Sequence, residues 1–457
     1  MTTPRHIAVI DIGKTNAKLA LVDLPSLTEI AVVTRPNIVR AGPPWPHYDV
    51  EGHWAFLLDA LAQFHSDHGI DAISVTTHGA CAALLAPDGT LAAPILDYEH
   101  RYPQPVVDAY AELKPAFAST GSPTLDGGLN IGAQLHWQFT LDPTLRDRTA
   151  KIVTYPQYWG HKLTGVAATD TTSIGCHTDL WSPRTGTFSE LPEKLGISNK
   201  IAPVRKPTEI LGTILPEISR VTGLPATTPV CVGIHDSNAS LYPHLLNQNG
   251  AFSVVSTGTW VVVMAIGGAD IPLDPARDTL VNVDAMGQAV PSARFMGGRE
   301  YEMIQQGAEV TSTAADISEI LDKQLMILPA VDPRTGPYSG RRMSWTGAAS
   351  QLGTGARTTA ISFYLAMMTD TCLRLTGAQG PTIVEGPFGR NSEFIDMLGA
   401  ATGRQVLTSD AATGTSFGAA LLFGKSASMA KPIASKSAAA GTKYREYAAR
   451  WRSLVVL

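Results

Sequence analysis

The chain has 457 residues, a length that holds two or three domains. Hydrophobic residues make up 44% and charged residues 16%, the balance of a folded globular protein rather than a disordered one. The net charge of −5 offers no overall basic excess, which argues against nucleic acid or an anionic membrane as the main partner.

Cys81, Cys176, Cys231 and Cys372 lie far apart, with neither zinc-site nor redox-pair spacing, and read as reduced, buried thiols. The opening "MTTPRHIAVID" has no signal-peptide apolar core. No uncharged apolar stretch reaches bilayer-spanning length, so a cytoplasmic protein is expected.

In "IAVIDIGKTNAKLALVD" (Ile7–Asp23) an apolar run meets Asp11, a polar turn follows, and a second apolar run begins. This is the pattern of two strands and a Gly-containing turn. A carboxylate at the end of a buried strand is costly unless it meets a cation or a hydrogen-bond donor. The turn also supplies amides, a lysine and hydroxyls, groups that suit phosphate. "EIAVVT" (29–34) reads as a third strand. In 52–69, Trp54, Leu57, Leu58, Leu61 and Phe64 recur at helical spacing, and Gly69 ends the helix. "DAISVTTHG" (71–79) is a strand whose polar end carries Thr76, Thr77 and His78.

Residues 128–141 and 155–165 read as helices, and 168–189 as a polar, turn-rich stretch. "TPVCVGIHDSNASL" (228–241) is a strand running into a polar elbow with Asp236 at its tip. The opening design then returns in "AFSVVSTGTWVVVMAIG" (251–267), where Asp11 overlays Ser256, Gly13 overlays Gly258 and Lys14 overlays Thr259. The repeat places a domain boundary near residue 245, giving domains 1–245 and 246–457. Downstream, 358–377 is a long helix, and 381–407 reads as strand, Gly/Pro loop, helix and strand. "SASMAKPIASKSAAAG" (426–441) is low in complexity and reads as a connector. The closing helix stripes Tyr444, Tyr447, Trp451 and Leu454 toward a core. Strands alternating with helices imply α/β layers, with ligands at the polar strand ends.

Two motif matches fail on context. "GTSFG" (414–418) has the spacing of a serine nucleophile elbow, but no Asp and no His follow Ser416 to complete a triad. "GAALLFGKS" (418–426) has five residues between its glycines where a P-loop has four, and those five form a helix rather than an anion cradle.

Five fragments in order resemble the FGGY carbohydrate kinases: "DIGKTNAKL", "TYPQYWGHKLTG", "GIHDSNA", "VSTGTW", and "GPFGRN" followed by "TGTSFGAALL". The resemblance covers nearly the whole chain. It implies an α/β fold of two ribonuclease-H-like, actin-type ATPase domains flanking a catalytic cleft, with ATP and Mg²⁺ as cofactors. It further implies Asp236 as the general base at the acceptor, and Asp11 on the metal side, holding Mg²⁺ through water. Gly13, Lys14, Thr15, Gly258 and Thr259 would line the phosphates, and Gly386 and Asn391 would stand near the nucleotide. "TTHGA" and "DYEHR" occupy the acceptor's place, which makes His78, Glu99 and Arg101 candidates; Asp97, His100 and Trp260 receive no assignment.

The bland readings stand beside these: a lone Asp after a strand is commonly a turn former or cap, and His78 a strand-end hydrogen-bonder. Lys14 stands where many relatives carry a hydroxyl, and Pro387 removes an amide donor from the nucleotide loop. "GIHDS" and "STGTW" resemble rhamnulokinase and fuculokinase most. The expected substrate is therefore a small-molecule deoxyketohexose such as L-rhamnulose or L-fuculose, phosphorylated at O1. The alternatives are a pentulose or polyol kinase, and an idle actin-type ATP-binding regulator. No nucleic acid or membrane partner is expected, and a homodimer is the candidate assembly.

Overall fold

Ile7, Ala8, Val9 and Ile10 are all fully buried, which requires strand β1 (His6–Ile12) to be covered on both faces of its sheet. The computed structural model describes residues 4–125, 127–305, 310–348, 350, 352–409, 414–424, 433–434 and 441–455. The chain divides into two compact units, the first of residues 1–247, 281–289 and 413–429, the second of residues 248–280, 290–412 and 430–457.

In the first unit β1 forms an antiparallel hairpin with β2 (Asn16–Asp23), and β3 (Thr28–Pro36) continues the meander. On its other side β1 runs parallel to β4 (Ala72–Thr77), followed by β6 (Pro229–Cys231) and β5 (Ile210–Thr213), while β7 (Ile234–His235) also pairs with β4. Helix α1 (Val50–His68) makes the parallel return from β3 to β4. Asp49 caps it by accepting from the Gly52 amide, and Gly69 ends it at positive φ. Its Leu57, Leu61 and Phe64 pack on Ala8, Ile10, Leu19 and Leu21, together with α2 (Tyr155–Thr164). Each such side chain contributes about 1.5–3 kcal/mol on burial. The opposite face, with Ile7 and Val9, is covered by α3 (Asp236–Asn247) and the short helix Thr415–Ala420.

The second unit repeats the plan. Strand β8 (Phe252–Thr257) forms a hairpin with β9 (Val261–Ile266) and runs parallel to β12 (Thr382–Glu385). Strands β10 (Thr279–Val283) and β11 (Ala289–Phe295) extend one side, and β13 (Val406–Thr408) and β14 (Ile433–Ala434) the other. Helix α4 (Gly297–Gln305) follows β11, and α5 (Thr354–Leu375) returns the chain to β12. Helix α5 is buried nearly all round, which is why its sequence lacks a polar face. Helices α6 (Ser392–Thr402) and α7 (Thr442–Leu454) complete the core with Phe394, Tyr447 and Trp451.

One expectation changes. Leu454, read as part of the closing apolar stripe, is 45% exposed, and its neighbour Val455 enters the core instead. The low-complexity connector 426–441 lies outside the described residues except for 433–434 and 441. Among the described residues no helix is long and apolar enough to cross a membrane, and the four cysteines are buried thiols joined in no disulfide.

Candidate functional site

Side chains alternate along a strand, so the face of β1 that carries Ile7 and Val9 also carries Asp11. Register then sets Asp11 opposite Lys18 on β2 and Thr76 on β4. Lys18 Nζ lies 3.4 Å from Asp11 Oδ2, and the Thr415 hydroxyl donates to the same oxygen. Burial raises the Asp11 pKa; Thr415 and Lys18 act against that rise, and the negative charge of Asp236 adds to it. Asp11 and Asp236 are thus electrostatic neighbours whose charges oppose each other, a pair that a cation would relieve.

Asp236 opens helix α3 where β7 ends, and its Oδ1 accepts from the Ser237 amide at 2.6 Å. His235 Nε2 lies 3.1 Å from the same oxygen. A Cβ at position 79 would stand 2.7 Å from His235 Nε2, so any residue larger than glycine there would have to displace that ring. Burial holds both His78 and His235 down to about 4, so both rings are neutral at pH 7. The His78 ring directs Nδ1 to the Gly79 carbonyl at 2.8 Å, which makes that nitrogen the donor and leaves Nε2 as an acceptor. That Nε2 is buried with no hydrogen-bond partner among the described residues. Tyr48, Tyr98 and Tyr155 surround the His78 ring at 5.1, 5.2 and 5.0 Å. Burial raises the Asp236 carboxyl, and His78 works against that rise.

Within the first turn, the Gly13 amide donates to Asn16 O at 2.9 Å. The Gly13 carbonyl accepts from Asn37 Nδ2 at 2.8 Å, and Asn37 in turn meets His53 Nε2 at 2.8 Å. His53, held down to about 4 mainly by burial, lies 2.8 Å from Arg35, which pairs with Asp49 at 2.6 Å. The turn is therefore braced to the N-terminus of α1. Thr15 is exposed; its carbonyl accepts from the Asn37 amide at 2.8 Å and its hydroxyl from Asn16 Nδ2 at 3.2 Å. Lys14 extends toward the segment after Leu96: its ammonium contacts Asp97 and lies 3.1 Å from Glu99 Oε2. Arg101 is exposed and lines a cavity of about 400 Å³ with Tyr102, Tyr110, Lys114 and Asn130.

The second turn has the same construction, shorter by one residue: the Gly258 amide donates to Trp260 O at 2.9 Å. Ser256 pairs with Val262 and Glu385 as Asp11 pairs with Lys18 and Thr76. Thr259 is exposed, and the Arg294 guanidinium covers the Trp260 ring at 4.8 Å. Gly386 has φ +80°, and a Cβ there would lie 2.0 Å from Thr257 O, so only glycine permits this crossing of β8 and β12. Asn391 caps α6, accepting from the Phe394 amide at 2.8 Å and donating to Ser362 Oγ at 2.9 Å. Its amide is spent inside the fold, the ordinary work of a cap.

Asp11, Lys14, His78, Glu99 and Asp236 thus come from four separated segments of one unit. Lys18, Thr415, His235 and the tyrosines at 48, 98 and 155 are additions that pattern reading missed. Lys18 had one usable signal: it faces Asp11 across a hairpin whose register the apolar runs define.

Residues 6–242 match the model of the FGGY family of carbohydrate kinases, N-terminal domain, and residues 249–432 match Carbohydrate kinase FGGY, C-terminal domain. An L-fuculokinase of Salmonella typhi is 24% identical over 269 residues, 57% of each chain. A rhamnulokinase of Bacillus subtilis is 32% identical over 127 residues, 27% of this chain and 26% of that one. The chain thus spans little more than half the length of the fuculokinase it matches. The crystal structure of a carbohydrate kinase from Novosphingobium aromaticivorans superposes with a TM-score of 0.91 at 35% identity, covering 98% of this chain and 100% of that one.

Proposed function

Because this chain belongs to the FGGY family of carbohydrate kinases, we propose that it transfers the γ-phosphoryl group of MgATP to a ketose hydroxyl. The observation that carries the reading is Asp236: a carboxyl raised by burial, at a helix start, between two neutral histidines and beside a second carboxylate. Phosphoryl transfer needs a base at the attacking hydroxyl and charge compensation around the phosphates, and little covalent chemistry from the protein.

Asp236 accepts the proton of the acceptor hydroxyl as its oxygen bonds to the γ-phosphorus. The bond from phosphorus to the bridging oxygen breaks, and ADP leaves. Neutral His78 accepts a hydroxyl hydrogen bond at Nε2, which orients the sugar without adding charge. Asp11 fits the metal side, since the charge of Asp236 adds to its cost of ionisation, which a cation would offset. Among the described residues no cluster of three or more His, Cys, Asp or Glu forms a dedicated metal site. A Mg²⁺ that arrives with the nucleotide and keeps most of its waters suits such a donor set. Bound there, it would neutralise charge on the phosphates.

The same reading gives phosphate contacts to Gly13, Thr15, Gly258 and Thr259, and sets Gly386 and Asn391 near the nucleotide, Asn391 by position because its side chain caps α6. Gly13 and Gly258 support it in one respect. Neither has a left-handed φ, and a Cβ would meet only Asn16 O at 3.4 Å or Trp260 O at 3.9 Å. Neither fold nor packing demands glycine there, whereas close approach of a phosphate to a turn amide does. A deoxyketohexose such as L-rhamnulose or L-fuculose, phosphorylated at O1, is the proposed acceptor. The matches to L-fuculokinase and rhamnulokinase support that choice.

The test is ADP release from MgATP with L-rhamnulose, L-fuculose, D-xylulose and glycerol, wild type beside Asp236→Asn. Turnover on a deoxyketohexose, reduced about 10²–10⁴-fold in the variant, is expected for loss of a general base. Since the Asp236 carboxyl is raised, kcat falls on the acid side with a midpoint above the ordinary aspartate value. Preference for D-xylulose or glycerol would move the substrate class. A wild type inert on every acceptor would sink the kinase reading.

A further inference from the structure

Resting on the kinase reading above, we infer that Lys14 is a specificity residue of the acceptor site, selecting a neutral polyhydroxy compound, and is not a ligand of the ATP phosphates. Its ammonium contacts Asp97, lies 3.1 Å from Glu99 Oε2, and sits 4.7 Å above the Tyr98 ring and 5.5 Å from that of Tyr48. The Tyr48 hydroxyl donates to the same Asp97 oxygen at 3.0 Å. Asp97 is only 7% exposed. Swinging Lys14 toward a triphosphate would strand that carboxylate, buried, with its cation gone. A lysine held by two carboxylates also has no net charge to offer a polyanion.

On the acceptor side the same lysine has work to do. Tyr48 and Tyr98, the rings beneath it, also pack against His78, whose Nε2 is the buried acceptor without a partner among the described residues. An ammonium has three donors. Two carboxylates engage it, and a third N–H remains for a substrate hydroxyl. Aromatic walls with a few convergent polar groups suit a small sugar, whose C–H faces pack on the rings while its hydroxyls meet donor and acceptor.

The charge count sets the class. With His78 neutral, two cations (Lys14 and the exposed Arg101) stand against three carboxylates (Asp97, Glu99 and Asp236). The pocket is net negative and disfavours a sugar acid, so the acceptor is a ketose or polyol and not an aldonate. An unopposed lysine would have implied the reverse.

The experiment varies acceptor and MgATP separately for wild type, Lys14→Met and Lys14→Arg, with the ketose that wild type turns over best and with D-gluconate as the anionic probe. Calorimetric titration of that ketose without nucleotide accompanies the kinetics. Loss of a charged hydrogen bond predicts an acceptor KM raised about tenfold or more, a matching loss in the titration, and a MgATP KM changed less than about twofold. Wild type should use D-gluconate at least about 100-fold less well than the ketose, as a like-charge clash requires.

Lys14→Arg keeps the ion pair while moving its donors, so it reports the same split should Lys14→Met fail to fold. A rise in MgATP KM with the acceptor KM unchanged would overturn the inference and leave the kinase reading standing. Preference for D-gluconate would overturn the charge argument alone. A wild type without turnover on any acceptor would remove both readings.

Discussion

In Gly13→Ala the new methyl group meets only Asn16 O, at 3.4 Å, and the backbone is outside the left-handed region. The fold should register little strain. Removing glycine from the unfolded chain stabilises by about 0.4–1 kcal/mol where the native backbone accepts alanine. Melting temperature should therefore hold or rise by up to about 4 °C for a unit of this size. Turnover should respond in the opposite direction. The methyl occupies the space through which a phosphate oxygen would approach the Gly13 amide, and a displacement of about 1 Å at a reacting group costs about 100-fold. Thermal unfolding beside an ADP-release assay at varied MgATP reads both effects from one preparation. A variant that is stable and fully active would mean that no phosphate closes on this amide. A variant that melts early would mean that the glycine serves the turn itself.

Asp11→Asn should lower kcat about 100-fold, as loss of a charge-compensating group does, with the fold intact because Lys18 keeps Glu29 at 3.4 Å; full activity would remove Asp11 from the mechanism. Gly386→Ala should destabilise the second unit by about 3 kcal/mol or more, since its φ is +80° and its Cβ would clash with backbone 2.0 Å away; a wild-type urea midpoint would contradict that geometry. Glu300 is fully buried, accepts from Tyr364 and from the Asp332 amide, and burial raises it to about 7. The folded state then keeps a proton that the unfolded state sheds, so this carboxyl weakens the fold as pH rises from about 4.5 to about 7. Glu300→Gln should be more stable than wild type at pH 8.5 by up to about 3 kcal/mol, with the gap shrinking at pH 5. A gap independent of pH, read from urea midpoints, would sink the argument.

The hairpins, the α1 boundary at Gly69 and the elbow at Asp236 were legible because period, glycine and polarity are local signals. The overlay of Asp11 on Ser256 survives in the strand register, since both stand one pair before the end of their hairpins. The cap at Asn391 was also spelled locally, by Asn ahead of a Ser-Glu-Phe helix start, while its place near the nucleotide came from the resemblance alone. What could not be read depends on packing between distant segments. Thr415 reaches Asp11 across 404 residues, and Lys14 meets Asp97 across 83. Nothing near a turn lysine says which way its four-carbon arm will lie.

The closure of Asp11 by Thr415 has a consequence for how the molecule is made. The helix that covers the Ile7 and Val9 face of β1 and satisfies its carboxylate begins at Thr415, 404 residues after Asp11. At about 5–20 residues per second, the stretch between the end of α3 and that helix takes roughly 10–30 s to synthesise. During that interval an apolar sheet face stands half dressed, open to whatever binds exposed strands. A truncation after α3 would keep that condition permanently, and the fragment should aggregate or recruit chaperones. That sheet face is finished only by a helix made after the whole stretch from α3 to Thr415, so a nascent chain lacks the hydroxyl partner of Asp11 until that helix emerges.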